Sequence, residues 1–229
     1  MNILNLPDST KVDKVIHKNL FDPYCNSAQK KLFTEYIQKI LWTNKLSKDT
    51  IHLEGKSIQE IQLIKIELKI KDRIAKILNI IDEYMPYTII FVIQYNQEYY
   101  ISTSVKHNNP KNENKSIIEW TFETDWYNST DKSFPLLLQN NLDIVYHNFC
   151  NQVIGIETWK EYSLQEIIGL SKELFQLEKD VSKLQKKLSS TKQFNHKVEI
   201  NTQLHEKVAR IQKLKFNSII NLRESKLDS

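Results

Sequence analysis

Apolar residues recur most regularly in the last third of the chain. Leu170, Leu174, Leu177, Val181, Leu184 and Leu188 are spaced 4, 3, 4, 3 and 4 residues apart, the seam of a helix that packs lengthwise on another helix. No proline interrupts residues 163–222, and Gly169 is their only glycine. Ser163-Leu164-Gln165-Glu166 reads as a capping box, with Tyr162 and Ile167 at the positions of a hydrophobic staple. The seam breaks at Ser189-Ser190-Thr191, where Ser190 to Gln193 reads as a second capping box. A second stripe follows in Phe194, Val198, Leu204, Val208, Ile211 and Leu214. This pattern predicts two helices, about 163–188 and 191–224, folded into an antiparallel hairpin. The alternative is one continuous rod of roughly 90 Å at 1.5 Å rise per residue, whose bare seam implies a homodimeric coiled coil.

Upstream the pattern is mixed. Residues 1–26 read as irregular. Asn26 or Ser27 caps a helix to about Asn44, with Ala28, Leu32, Phe33, Tyr36, Ile37, Ile40 and Leu41 on one face. Thr50–Leu53 is a short strand candidate. From Ile61 to Ile70 apolar and charged residues alternate, as in a half-buried strand, and the parity change predicts a bulge near Leu63. Asp72 caps a helix with the face Ile74, Ile77, Leu78 and Ile81, which ends before Pro86. Thr88–Ile93 is continuously apolar, the mark of a strand covered on both sides. Asn96-Gln97 turns into a strand over Tyr99–Val105. Ile118, Trp120 and Phe122 alternate with polar residues in a further strand. Leu142, Val145, Tyr146, Phe149 and Val153 form a closing helical stripe. The expectation is an α+β domain over 1–156, with a mixed or antiparallel sheet and flanking helices, followed by the helical hairpin or coiled coil over 163–229.

Charge alters this picture in one respect. Of 32 Lys+Arg and 28 Asp+Glu, residues 171–229 hold 13 and 7, so the whole basic excess lies on the helical tail. Lys192, Lys197, Arg210, Lys213 and Lys215 are the candidate nucleic-acid contacts, of the non-specific, salt-sensitive kind. No aromatic residues interleave with them on that face to stack bases. Chemistry elsewhere is sparse. Three glycines cannot build a P-loop, a dinucleotide motif or a nucleophile elbow. Six histidines and two cysteines show no metal-ligand spacing, so neither metal nor cofactor is expected. One constellation is tempting: Glu67-Leu68-Lys69 on a strand with Asp49 upstream, the pattern in which restriction-type nucleases hold a divalent cation. The bland reading is an exposed charged face. Glu123-Thr124-Asp125-Trp126 is a second acidic cluster at a strand end. Cys25 and Cys150 read as reduced thiols. With no apolar run near the ~20 residues of a membrane span and no signal peptide, a cytoplasmic protein without a membrane partner is expected.

Several segments resemble the bacterial domain-of-unknown-function family four-three-nine-one. They are Leu6-Pro7-Asp8-Ser9-Thr10, Trp42-Thr43-Asn44-Lys45-Leu46-Ser47, Ile81-Asp82-Glu83-Tyr84-Met85-Pro86-Tyr87 and Thr124-Asp125-Trp126. The most distinctive is Lys192 to Asn201, KQFNHKVEIN. Where the family commonly carries Ile-Pro-Lys, this chain has Ile16-His17-Lys18. Members tend to be encoded near helicases, DNA methyltransferases and restriction-type genes. The resemblance therefore implies a role in bacterial DNA metabolism or anti-phage defence, with a helicase or methyltransferase partner; it supplies no catalytic residues. Two further readings stay open, the nuclease and a self-associating structural adaptor that never meets DNA.

Overall fold

A computed structural model describes residues 3–112 and 114–216. The chain divides into two compact units, residues 1–155 and 156–229.

The first unit is built on a mixed sheet. Its strands are β1 (Lys11–Ile16), β2 (Ile37–Leu46), β3 (Ile61–Leu68), β4 (Thr88–Tyr95), β5 (Glu98–Asn108), β6 (Ser116–Glu123) and the two-residue β7 (Tyr127–Asn128). They lie in the order β1-β2-β3-β4-β5-β6, with β7 beside the start of β5. All neighbours are antiparallel except β3 and β4, which run parallel. A parallel pair needs a long crossover, and α3 (Ala75–Tyr84) supplies it. Its expected face, Ile74, Ile77, Leu78 and Ile81, is buried. Together with α1 (Ser27–Tyr36) and a 3-10 turn over Lys18–Tyr24, it covers Ile64, Ile66, Phe91, Ile93 and Tyr100 on one side of the sheet. On the other side lies α4 (Leu142–Ile154), which brings the Tyr146 hydroxyl to 3.0 Å from Thr103 Oγ1 on β5.

Two polar arrangements, the first buried and the second partly exposed, tie these elements together. The Lys106 amine on β5 donates to the Asp82 carboxylate at 2.6 Å and to the carbonyls of Asp82 and Met85 at 2.7 Å. It thereby satisfies two of the carbonyls that the C-terminus of α3 leaves without helical partners. The second is the Asp143 carboxylate in the first turn of α4. It accepts from the backbone amides of Lys56, Ser57 and Ile58 at 2.5, 3.1 and 3.0 Å. Gly55 makes that wrap sterically feasible, because a Cβ there would stand 2.2 Å from the Ile58 carbonyl oxygen.

The structure corrects several expectations. The helix from Ser27 stops at Tyr36, and Ile37 to Leu46 is strand β2. Register shifts at Ile37/Lys39 and Trp42/Asn44 put an extra residue into this strand twice. A bulge turns period 2 into period 3 locally, so Ile37 and Ile40 both reach the core and mimic a helical stripe. The bulge expected in β3 near Leu63 is thus in its partner. β3 itself pairs without interruption against β4, and Leu63 and Ile64 are both buried because both sides of the sheet are covered there. Residues 48–51 form the short helix α2, not a strand. β1 lies in the stretch read as irregular; it is an exposed edge strand, bulged around Asp13, whose φ is 50°.

The second unit is a helical hairpin of α5 (Leu164–Ser190) and α6 (Phe194–Phe216). The capping box of α5 is present. The Ser163 amide donates to the Glu166 carboxylate at 2.8 Å, and the Glu166 amide donates to the Ser163 hydroxyl at 3.4 Å. Leu170, Leu174, Leu177, Val181, Leu184 and Leu188 are all half-buried, and α6 contributes Ile200, Leu204, Ile211 and Leu214 from the covered part of its surface. The partner of the seam is therefore the same chain. Three ion pairs bridge the two helices, Glu173–Arg210, Glu178–Lys215 and Asp180–Lys207, at 2.7–2.9 Å. At the open end, the Trp159 indole N–H donates to the Leu214 carbonyl at 2.9 Å and the Thr158 hydroxyl to the Lys215 carbonyl at 3.0 Å. The expected second capping box does not start α6. Ser190 is the last residue of α5, and its hydroxyl donates back to the carbonyls of Lys186 and Lys187. The expected extension to residue 224 lies outside the described residues.

Candidate nucleic-acid interface

The three-residue turn 191–193 brings the last two turns of α5 beside the first turn of α6. Between Asp180 and Glu199 the sequence contains no acidic residue but five lysines: Lys183, Lys186, Lys187, Lys192 and Lys197. All five are exposed, and none forms an ion pair with another described residue. Because the chain reverses at 191–193, charges that are 14 residues apart in sequence converge on one end of the hairpin. Such a cluster repels itself in water and gains free energy when an anion approaches. Gln193, Asn195 and His196 are exposed at the same end. So is Phe194, at 77%, with Val198 at 49% one turn further on; the expectation that no aromatic lies among the basic residues fails here, because Phe194 is left out of the packed stripe to which its spacing assigned it.

The expected basic contacts divide accordingly. Lys192 and Lys197 belong to this cluster. Arg210 and Lys215 do not: their charges are engaged by Glu173 and Glu178. Lys213 is exposed but lies 16 residues beyond Lys197, about 24 Å along α6 at 1.5 Å per residue. Lys183, Lys186 and Lys187 join Lys192 and Lys197 from α5, and the signal for them in the sequence is the acid-free run between Asp180 and Glu199. The apolar stripe foreseen for the second helix is covered only from Ile200 onward. Phe194, Val198 and Val208 lie outside it, and Asn201 is exposed.

The nuclease constellation is not brought together. Glu67 lies near the end of β3, where Lys65 pairs with it at 3.0 Å. Lys69 falls past the strand, and its amine donates to the Thr34 carbonyl at 2.7 Å. Asp49 sits in α2, which follows Leu46, the residue paired with Ile61 at the start of β3. Six residues of strand, about 20 Å, separate that end from Glu67. Among the described residues no group of three or more His, Cys, Asp or Glu side chains could hold a metal ion.

Two other places were candidates. A cleft of about 470 Å³ lies over the half of the sheet that α4 leaves open, lined by Leu4, Asp8, Lys11, Asp13, Lys65 and Gln94 among others. Its polar groups are mostly engaged already: Lys11 pairs with Asp8 at 2.7 Å, Lys65 with Glu67, and the Gln94 amide donates to the Asn96 carbonyl at 2.6 Å. Around Trp126, the Arg73 guanidinium lies 4.5 Å from the Tyr100 ring centroid and within 3.7 Å of Glu123 and Asp125. Lys71 stands over Trp126 and pairs with Glu98. This acidic and aromatic strand end is a closed network of internal pairs. Among the described residues, the lysine-rich turn gathers the largest run of lysines with no ion-pair partner.

No described helix is long and apolar enough to cross a membrane. Neither the curated proteins nor the solved structures contain a match to the chain. Residues 4–211 match one family's model over most of the chain, so the chain belongs to the family described as Domain of unknown function (DUF4391).

Proposed function

We propose that this protein is a non-enzymatic accessory protein of a bacterial DNA-processing or anti-phage defence system, whose hairpin turn contacts nucleic acid beside a helicase- or methyltransferase-type partner. The observation that carries the nucleic-acid contact is the run of five exposed lysines without a carboxylate, folded onto one end of the hairpin. The partner and the setting rest on the family resemblance. Phosphate contacts of this kind release counterions, so affinity falls steeply with salt. The test is fluorescence anisotropy of labelled oligonucleotides with the intact chain at two salt concentrations. Substituting Lys183, Lys186, Lys187, Lys192 and Lys197 by alanine lowers the salt slope by about one for each phosphate contact removed. Equal binding by the wild type and the fivefold variant, or no binding at low salt, overturns the reading. A self-associating adaptor would instead show a dimer by light scattering and no oligonucleotide binding.

A further inference from the structure

We infer that the hairpin turn is a binding site for single-stranded nucleic acid, in which the Phe194 ring stacks on a base and the surrounding lysines hold the phosphates. This deepens the proposed function and rests on it.

Phe194 is the first residue of α6, and 77% of its surface is exposed. The covered stripe of α6 begins at Ile200, six residues on. At 100° per residue that places Phe194 about 120° away around the helix, so the ring takes no part in holding the hairpin closed. Lys197 and Val198 stand three and four residues on, one turn along the same side. Lys192 precedes it by two residues, and Lys183, Lys186 and Lys187 lie in the last two turns of α5, just before the turn. An exposed aromatic among cations matches the arrangement by which single strands are bound without sequence preference: the lysines track the backbone and the ring offers a stacking face to any base. A duplex keeps its base faces inside the stack and presents phosphates and base edges, so it engages the lysines and leaves Phe194 idle. An anionic bilayer is a poorer fit. Phe194 and Val198 are a small apolar area to insert, and Gln193 and Asn195 at the same rim would have to give up water.

The experiment uses the intact protein with a fluorescein-labelled 20-nucleotide oligothymidylate and a 20-base-pair duplex, at low and moderate salt. Phe194→Ala weakens single-strand binding roughly tenfold, the scale of one lost stacking contact, while the salt slope and the duplex affinity stay as they were. Phe194→Trp keeps single-strand affinity, and its added indole emission is quenched by the oligothymidylate. Lys192→Ala with Lys197→Ala lowers the salt slope for both nucleic acids. Loss on single strand and duplex alike, or no loss on either, overturns the stacking site while leaving the phosphate contact standing. Absence of binding to either nucleic acid overturns both. Sedimentation with phosphatidylglycerol vesicles that depends on Phe194, with single-strand binding indifferent to it, assigns the turn to a membrane surface and overturns the proposal.

Discussion

Lys106 and Asp82 show how a single pair governs its surroundings. Their side chains are 5% and 1% exposed. Burial acts on both in the same sense, pushing the Asp82 carboxyl up and the Lys106 amine down from their ordinary ranges, while each partner opposes the shift. Removing one member leaves the other charged and alone in a dry site, which costs about 3–5 kcal/mol. Lys106→Met is therefore expected to lower the urea midpoint sharply. Adding Asp82→Asn to it should restore part of the loss, a coupling that a double-mutant cycle reads directly. A different set of residues governs the alkaline limit. Burial raises the Cys150 thiol from 9.0 to about 12 and the Tyr99 phenol from 10.0 to about 12. Both groups are neutral in the native protein and ionise earlier in the unfolded chain. Stability is thus fully present below pH 9 and is lost as pH rises toward 12, at about 1.4 kcal/mol per pH unit for each group. Denaturant melts across pH 7–11 should show a decline that begins near 9 and is shallower in Cys150→Ala, where the Cys25 thiol, also raised by burial, still contributes.

At the scale of elements, the sequence was clearest where one rule acted alone. The faces of α3 and α4 and the capping box of α5 each follow from a single local rule and are present as expected, whereas the alternation expected in β6 is interrupted by an extra residue at Glu119, where Val105 pairs with Trp120 and Lys106 with Ile118. β2 failed the same reading because two bulges imitate a helical spacing, and no glycine or proline marks the change at Ile37. β1 was invisible because an edge strand with its residues mostly in water carries no alternation to detect. The candidate site was half legible. The basic tail was evident from composition, but which lysines remain uncompensated depends on pairing across the hairpin. Arg210 and Lys215 look identical in sequence to Lys197 until Glu173 and Glu178 are placed beside them. Gly55 offers a test of element junctions. Gly55→Ala drives a methyl group into the Ile58 carbonyl and loosens the loop around Asp143, with a cost of roughly 1–3 kcal/mol, the usual range for forced overpacking. A thermal melt should show the loss, and hydrogen exchange should quicken at the amides of Lys56, Ser57 and Ile58.

At the scale of the whole molecule, the chain forms two compact units. Residues 1–155 contain a complete layered core, and the hairpin carries its own seam, ion pairs and terminal clasp. A fragment spanning 1–155 is expected to melt cooperatively by circular dichroism and to bind neither oligonucleotide in the anisotropy assay; a fragment that fails to fold would refute this independence. Inside the sheet unit, however, independence ends. The segment β3-α3-β4 is contiguous, but the carbonyls at the end of α3 are completed by Lys106, on the strand that follows. A nascent chain that has emerged only through β4 therefore holds a crossover helix whose final turn is unfinished. The unit closes when β5 arrives, so the parallel centre and the antiparallel half of the sheet come together as one cooperative step.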